Sequence, residues 1–292
     1  MGDLIRLQAF AKLNYALDVL SLRTDGYHEI RTVMQSISLA DEVEVERAES
    51  GFDLTVEPAG TDVGPTRKNT THGAWKALRE ATGEELPVRV RLNKKAPSGA
   101  GLGGGSADAA AVLVALNEMF GLSLDDERLR EVGLRVGADV PFCIAGGTAL
   151  GEGIGEELTP LPATPDHRLV VTRPAEAANT AEVYRAYDGR PGQKVFHASA
   201  VRNAIQAGDL AALGAGVGNA LSPVTREMVL AVRELETALL EAGALGASMS
   251  GTGTAVYGIF PDENAAANAI RAVDAPFAGV FAPVDRGVEI LT

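Results

Sequence analysis

Apolar and polar residues alternate through the first fifty positions, and the period then lengthens to that of a helix. The alternation predicts strands over 13–20, 32–39 and 42–46, the last two joined at Ala40-Asp41. In DEVEVE (41–46), Val43 and Val45 face one side while Glu42, Glu44 and Glu46 face the other, as in a half-exposed strand. Ala74, Trp75, Ala77 and Leu78 make one apolar face of a helix over 66–80. PVRVRL (87–92) alternates again and leads into a glycine-rich loop. An alanine- and leucine-rich helix follows over 106–120, closed by Gly121. Ser123, with Asp126 three residues on, opens a further helix that ends at Gly137.

Three prolines in six residues at PLPATP (160–165) mark a linker. Beyond it the pattern predicts a strand over 168–172 and helices over 177–187, 198–207 and 223–242. A strand, tight loop and strand at SMSGTGTAVYG (248–258), a helix over 263–273 and a final strand near 287–291 complete the chain. Strands and helices mix without strict βαβ alternation. The expected class is therefore α+β, in two domains over 1–160 and 161–292, rather than a doubly wound sheet.

Composition narrows the function. The 292 residues can bury a substantial core in one or two domains. A net charge of −13 argues against nucleic acid or an anionic membrane as partner. Lys12, Asn14 and Asp18 break the apolar residues near the start before any signal-peptide core forms. No apolar run reaches the roughly 18 residues of a membrane span. The single cysteine, Cys143, forms no internal disulfide, fits a reducing, cytoplasmic setting and reads as a small buried hydrophobe. His28, His72, His167 and His197 lack zinc-ligand spacing, so no metal site made of protein side chains alone is expected.

The sharpest chemical signal is PSGAGLGGGSADAAA (97–111). It sets five glycines, Gly99, Gly101, Gly103, Gly104 and Gly105, ahead of a helix start. Glycine lets backbone approach a ligand closely. The first helical turn offers unpaired N–H groups and partial positive charge, and together these make a phosphate site. Gly99, Gly101 and Gly104 satisfy G-x-G-x-x-G. A dinucleotide fold, however, needs a second strand ending in an acid about 20 residues on, and here Glu118 falls inside a helix. No Gly-Lys-Ser/Thr closes the loop, which excludes a P-loop. An anion site in so acidic a chain needs local positive charge. Lys94 and Lys95 stand just before the loop, either for that purpose or merely solvated.

The wording Pro97-x-x-x-Gly101-Leu102-Gly103-x-x-Ser106 resembles the phosphate-binding motif of the GHMP kinases. AKLN (11–14), RTDGYHE (23–29), GADVPF (137–142) and SGTG (250–253) resemble further motifs of that family in the same order, so the resemblance spans nearly the whole chain. GLGGGS, rather than a serine-rich form, is similar to a branch that acts on a cytidyl-diphosphate sugar alcohol in isoprenoid-precursor synthesis. The resemblance implies a two-domain GHMP-kinase-like fold with the active site in the interdomain cleft. It also implies phosphoryl transfer from ATP, with Mg²⁺, to a hydroxyl of that small molecule. Two other readings stay open: a kinase of the same family acting on homoserine or mevalonate, and a non-catalytic metabolite sensor on the same fold.

Residue roles follow from the same resemblance. Asp139, two residues before Pro141, is a turn former by its own pattern; the resemblance makes it the group that accepts the proton of the attacking hydroxyl. On a strand, Lys12 and Asn14 share one face. The resemblance sets Lys12 beside Asp139 and gives Asn14 to the substrate. It assigns Tyr27 and His28 to a cytidine pocket, with Tyr184 as second stacking ring and Thr180 as a polar contact. The ATP side comprises Pro97, Gly99, Ala100, Gly101, Leu102, Gly103, Gly104, Gly105, Ser106 and Ala107, with Lys94 adding charge. The Ser106 hydroxyl would touch phosphate or Mg²⁺. Asn69 either caps its helix or reaches the adenine. One departure stands out: many relatives have an acidic Asn-Asp-Leu-Glu-like element where this chain reads Asn219-Ala220-Leu221-Ser222.

Overall fold

The structure, a computed structural model, describes residues 3–59, 61, 63–190 and 197–291. Its frame is a hairpin of two long strands, β1 (Leu4–Leu22) and β2 (His28–Arg47), antiparallel from the Leu4–Glu46 pair to Leu22–His28. Register shifts near Phe10/Lys12, Asn14/Ala16 and Val19/Ser21 bend the pair and re-aim side chains along it. β3 (Phe52–Glu57), β4 (Val88–Asn93), β5 (Thr148–Glu152) and β6 (Glu157–Pro160) follow in the chain. Next come β7 (Arg168–Arg173), the short β8 (Gly218–Asn219), β9 (Gly246–Met249), β10 (Val256–Phe260), β11 (Phe277–Phe281) and β12 (Val288–Leu291).

β12, β1, β2, β4 and β3 lie side by side in that order; β5 also pairs with β2, β6 with β5, and β8 with β1. β11, β7, β10 and β9 form a second, wholly antiparallel sheet. The last strand thus returns to the first sheet, pairing Leu291 with Arg6. Just before it, Gly287 lies flat against α4 (introduced below): a Cβ there would come within 1.8 Å of the Cys143 carbonyl oxygen. The class is α+β, as the pattern predicts.

The helices are α1 (Thr70–Thr82), α2 (Gly104–Phe120), α3 (Asp126–Leu134), α4 (Val140–Ala145) and α5 (Thr180–Asp188) in the first two-thirds of the chain. They continue with α6 (Ala198–Ala207), α7 (Leu210–Gly216), α8 (Ser222–Met228), α9 (Leu230–Glu241) and α10 (Glu263–Ala269). α2 is buried nearly all round, and its alanines at 107, 109, 110, 111 and 115 let it press closely between the first sheet and α1. A second cluster joins Leu13, Tyr15 and Val33 of the first sheet to Leu169, Val171 and Tyr257 of the second.

Two expectations are corrected. The strands expected at 32–39 and 42–46 are one, because the polar residue at their junction is not at a turn. Asp41 is fully buried, and its carboxylate accepts the N–H groups of Lys95 (2.5 Å) and Ala96 (2.8 Å). The single helix expected over 223–242 is two, broken at Val229, whose extended backbone (φ −134°, ψ 94°) turns its side chain into the core. β3, β5, β8 and β11, short strands with partners far away in sequence, and β6, which pairs with neighbouring β5, are additions to the expected set.

Candidate active site

A cleft of about 1050 Å³ opens where both sheets, the glycine loop and α5 meet. Lys12 comes out of the first register shift of β1 with its side chain only 4% exposed. Its ammonium lies 3.0 Å from Asp139 Oδ2 and donates to Asn14 Oδ1 at 3.0 Å. Asp139 occupies the N-cap position of α4 but spends no side-chain bond on capping. Lys12 is its one ion-pair partner among the described residues, and the carboxylate, 37% exposed, borders the cleft. A turn former would have bonded its own helix; this one faces outward toward a lysine.

Asn14 lines the cleft and is held from several sides. It is buried, its Oδ1 accepts from Lys12 and from the Gly251 N–H (3.0 Å), and its Nδ2 donates to Thr32 Oγ1 at 2.8 Å. Thr32 in turn donates to the Ala16 carbonyl at 2.6 Å. This arrangement suits Asn14 to fixing Lys12 at the wall of the cleft. Asn219, in the departing element, donates to the Met249 and Gly251 carbonyls at 2.9 and 2.7 Å and so braces the loop that Asn14 holds from the other side.

The glycine loop is locked to these groups. Lys12 N–H donates to the Leu102 carbonyl, and Ala255 N–H to the Ala100 carbonyl. Ser250 Oγ donates to the Gly101 carbonyl at 2.8 Å. At Gly101 (φ +80°) a Cβ would lie 2.1 Å from the Ser250 carbonyl oxygen, and at Gly103 (φ +66°) it would strike the stem of Lys12 at 2.8 Å. Two glycines are thus demanded by close approach as well as by backbone angle.

α-Helical geometry leaves the N–H groups of Gly104, Gly105 and Ser106 without intrahelical partners. Gly99, Gly101 and Ser106 line the cleft. The expected loop set therefore divides. Ala100 and Leu102 are buried anchors whose carbonyls are already bonded, and the Ala107 N–H is spent on the Gly103 carbonyl at 2.9 Å. Pro97 is half-buried.

Two further expectations change. Lys94 is not a free cation: its side chain is 4% exposed and its ammonium bridges Asp41 and Asp108, the latter at 2.5 Å. Burial pulls the Lys94 pKa down, but the Asp108 and Asp41 charges outweigh it and hold the lysine above its usual range. Burial pushes Asp108 up despite the lysine beside it, and its Oδ1 has no hydrogen-bond partner. The cluster lies beneath Gly104, behind the loop rather than in it. Asn69 takes its capping alternative: its Oδ1 accepts the Thr71 N–H at 2.9 Å and the Thr71 hydroxyl at 2.7 Å.

At the far end of the cleft, the Thr24–Gly26 turn presents Tyr27, 60% exposed, and then His28. The His28 ring stacks on Tyr184 with centroids 4.6 Å apart and planes 22° apart. His28 Nε2 pairs with Asp188 Oδ1 at 2.7 Å. Burial first, then the Asp139 charge, pushes the Tyr184 phenol up to about 12, so it stays neutral. Thr180 shares a 2.9 Å hydroxyl contact with Thr252. Asp188, Arg185 and Thr252 were not singled out by sequence, and only the face they share with Tyr184 and Thr180 on α5, or with SGTG, could have drawn attention to them.

Comparison with known proteins bears on this cleft. Residues 69–147 match the family model of the GHMP kinases N terminal domain, and residues 201–279 that of GHMP kinases C terminal. The chain belongs to the GHMP kinases. A relative from Pelotomaculum thermopropionicum named 4-diphosphocytidyl-2-C-methyl-D-erythritol kinase is 47% identical to this GHMP kinase over 87% of the chain and 88% of its own length. One of the same name from Caldanaerobacter subterraneus is 38% identical over 98% and 99%. A crystal structure of 4-(cytidine 5'-diphospho)-2C-methyl-D-erythritol kinase, 34% identical, superposes with a TM-score of 0.78 over 95% of this chain and 99% of that one. Homoserine kinase from Cytophaga hutchinsonii, at 21% identity and a TM-score of 0.79 over 100% and 98%, shares the fold.

Proposed function

We propose that this GHMP kinase transfers the γ-phosphate of ATP to the 2-hydroxyl of 4-diphosphocytidyl-2-C-methyl-D-erythritol, in the cytoplasm, as a step of isoprenoid-precursor synthesis. The observation that carries the reading is the 3.0 Å Lys12–Asp139 contact, set between the glycine loop and the aromatic end of the cleft. Lys12 packs its stem on Gly103, while the charge of Asp139 is felt at Tyr184. The names of the relatives point to the same substrate. Two units, 1–160 and 161–292, would close on it, the second lending β12 to the sheet of the first.

In this reading the free N–H groups of Gly104, Gly105 and Ser106 hold the β- and γ-phosphates at the positive end of α2. Asp139 accepts the proton of the substrate hydroxyl as its oxygen attacks phosphorus. The Lys12 ammonium stabilises negative charge developing on that oxygen, and Asn14 keeps the ammonium in place. Tyr27, His28 and Tyr184 take the base. Arg185 lines the cleft without an ion pair among the described residues, which suits it to the diphosphate.

Among the described residues no cluster of three or more His, Cys, Asp or Glu side chains could hold a metal. Mg²⁺ fits as an ion carried by the nucleotide, with the Ser106 hydroxyl as a protein contact; when bound it would neutralise charge on the β- and γ-oxygens. The test is ADP release with the cytidyl-diphosphate erythritol, homoserine, mevalonate and galactose in parallel. Turnover with the first alone is expected; turnover with another acceptor and none with the first overturns the reading.

A further inference from the structure

Thr32 borders the cleft from β2, yet it is only 1% exposed and its hydroxyl both donates and accepts within the protein. Its one proton goes to the Ala16 carbonyl at 2.6 Å. That carbonyl lies where β1 carries an extra residue: Asn14 opposes Met34 and Ala16 opposes Val33, with Tyr15 between them. The hydroxyl oxygen accepts from Asn14 Nδ2 at 2.8 Å. The γ-methyl packs over Gly151, the cross-strand neighbour on β5, where a Cβ would come within 3.1 Å of it. A methyl seated so holds the rotamer, and the hydroxyl keeps one direction.

With its proton committed, the Thr32 oxygen can only accept. The Asn14 amide must therefore turn Nδ2 toward Thr32 and Oδ1 toward Lys12. The reversed amide would set oxygen against oxygen at Thr32. It would also put an NH₂ group against the Lys12 ammonium and the Gly251 N–H. Lys12 in turn carries three N–H donors in a tetrahedral fan. One donates to Asn14, another faces Asp139, both across 3.0 Å, and the last has no partner among the described residues. Fixing two directions fixes the third.

We infer that Thr32 is a positioning residue for the phosphoryl transfer, aiming the remaining N–H of Lys12, through Asn14, at the oxygen that attacks phosphorus. The inference rests on the phosphoryl-transfer reading above and deepens it by naming what orients the lysine. Negative charge on that oxygen develops only as the reaction proceeds, so losing the aim weakens the transition state and leaves both substrates bound as before.

The experiment measures ADP release with the cytidyl-diphosphate erythritol in Thr32→Ala, Thr32→Val and Thr32→Ser. Valine keeps the shape but its second methyl crowds the Ala16 carbonyl; alanine leaves room, so the test does not hang on valine folding. Both lack the hydroxyl and leave Asn14 Nδ2 without its acceptor. Each is expected to lower kcat about tenfold or more, with KM for ATP and for the acceptor within about twofold of wild type. Thr32→Ser keeps donor and acceptor and should hold kcat near wild type, a rescue that lost packing would not give. In an Asn14→Ala background, Thr32→Ala should cost nothing further, because its path to Lys12 is already cut. Wild-type kcat in a folded hydroxyl-free variant overturns the inference, as does an equal loss in Thr32→Ser or full additivity with Asn14→Ala. A loss carried by KM of the acceptor also overturns it, since Thr32 would then be a binding group. Each of these results leaves the kinase reading intact; absence of wild-type turnover removes both.

Discussion

The two ends of the cleft are built to different standards of order. At the glycine loop nearly every group is fixed from behind: Ala100 and Leu102 are buried, Gly101 touches the Ser250 carbonyl, and Lys12 is held by Asn14. At the aromatic end, Tyr27 and Leu22 are each 60% exposed, and His28 joins β2 to α5 through Asp188 and Tyr184. Phosphate chemistry needs donors placed before the reaction begins, because reorganising them during it would raise the barrier. A base can be clasped by side chains that settle as it arrives. The donor end is therefore costly to disturb in stability, and the acceptor end in affinity alone.

That difference can be broken at its centre. Asp139→Asn keeps the shape of the α4 N-cap but cannot take a proton; kcat is expected to fall about 10²- to 10⁴-fold, read by ADP release, with ATP affinity by titration unchanged. Near-normal turnover would remove Asp139 from the reaction. Behind the loop, Lys94→Met leaves Asp41 and Asp108 facing each other without a cation. A loss of about 3–5 kcal/mol in urea unfolding is expected, the usual result of breaking a buried ion network. If stability holds, the donor end is not the ordered one.

At the other end, Tyr27→Ala removes one stacking face from an exposed site. Stacking of a base on an aromatic ring is worth about 1–3 kcal/mol, so KM for the cytidyl substrate should rise about tenfold with Tm unchanged. Arg185→Ala is expected to do the same, and to abolish the salt dependence of that KM as well.

The smallest effect lies at neither end. His167 is buried between Tyr15 Oη and the Pro165 carbonyl, and burial holds its pKa below the usual value. The folded state then binds fewer protons than the unfolded one. Its contribution is complete above the unfolded value of about 6.5 and is lost as pH falls through the lower folded value. Melting temperature should drop between pH 7.5 and 5.5, less steeply in His167→Gln, while the ratio of KM values at the two ends stays constant.

How much of this could be read from the chain depends on distance along it. The glycine loop was legible because its constraints are nearly local: a helix start, positive φ, and small residues together. Lys12 and Asp139 needed the resemblance, for 127 positions separate them and neither announces its partner. Lys94 looked like a solvated lysine or a phosphate ligand because the acid that buries it, Asp41, sits 53 positions earlier at what looked like a turn. The break at Val229 was invisible, since the sequence around it favours a helix and only the core decides otherwise. Asp188 and Arg185 showed no pattern at all; a helix face acquires meaning only when the opposite wall is known.

The return of the final strand to the first sheet has a consequence for how the enzyme comes into being. Gly287 seats its backbone on Cys143 of α4, the helix that Asp139 opens, and β12 then closes against β1. A chain still being made can gather its donor loop early, yet the wall behind the reacting carboxylate arrives only with Gly287, far beyond Asp139 in the chain. A nascent chain would thus hold the nucleotide cradle without a finished reaction centre until Gly287 and β12 have been added.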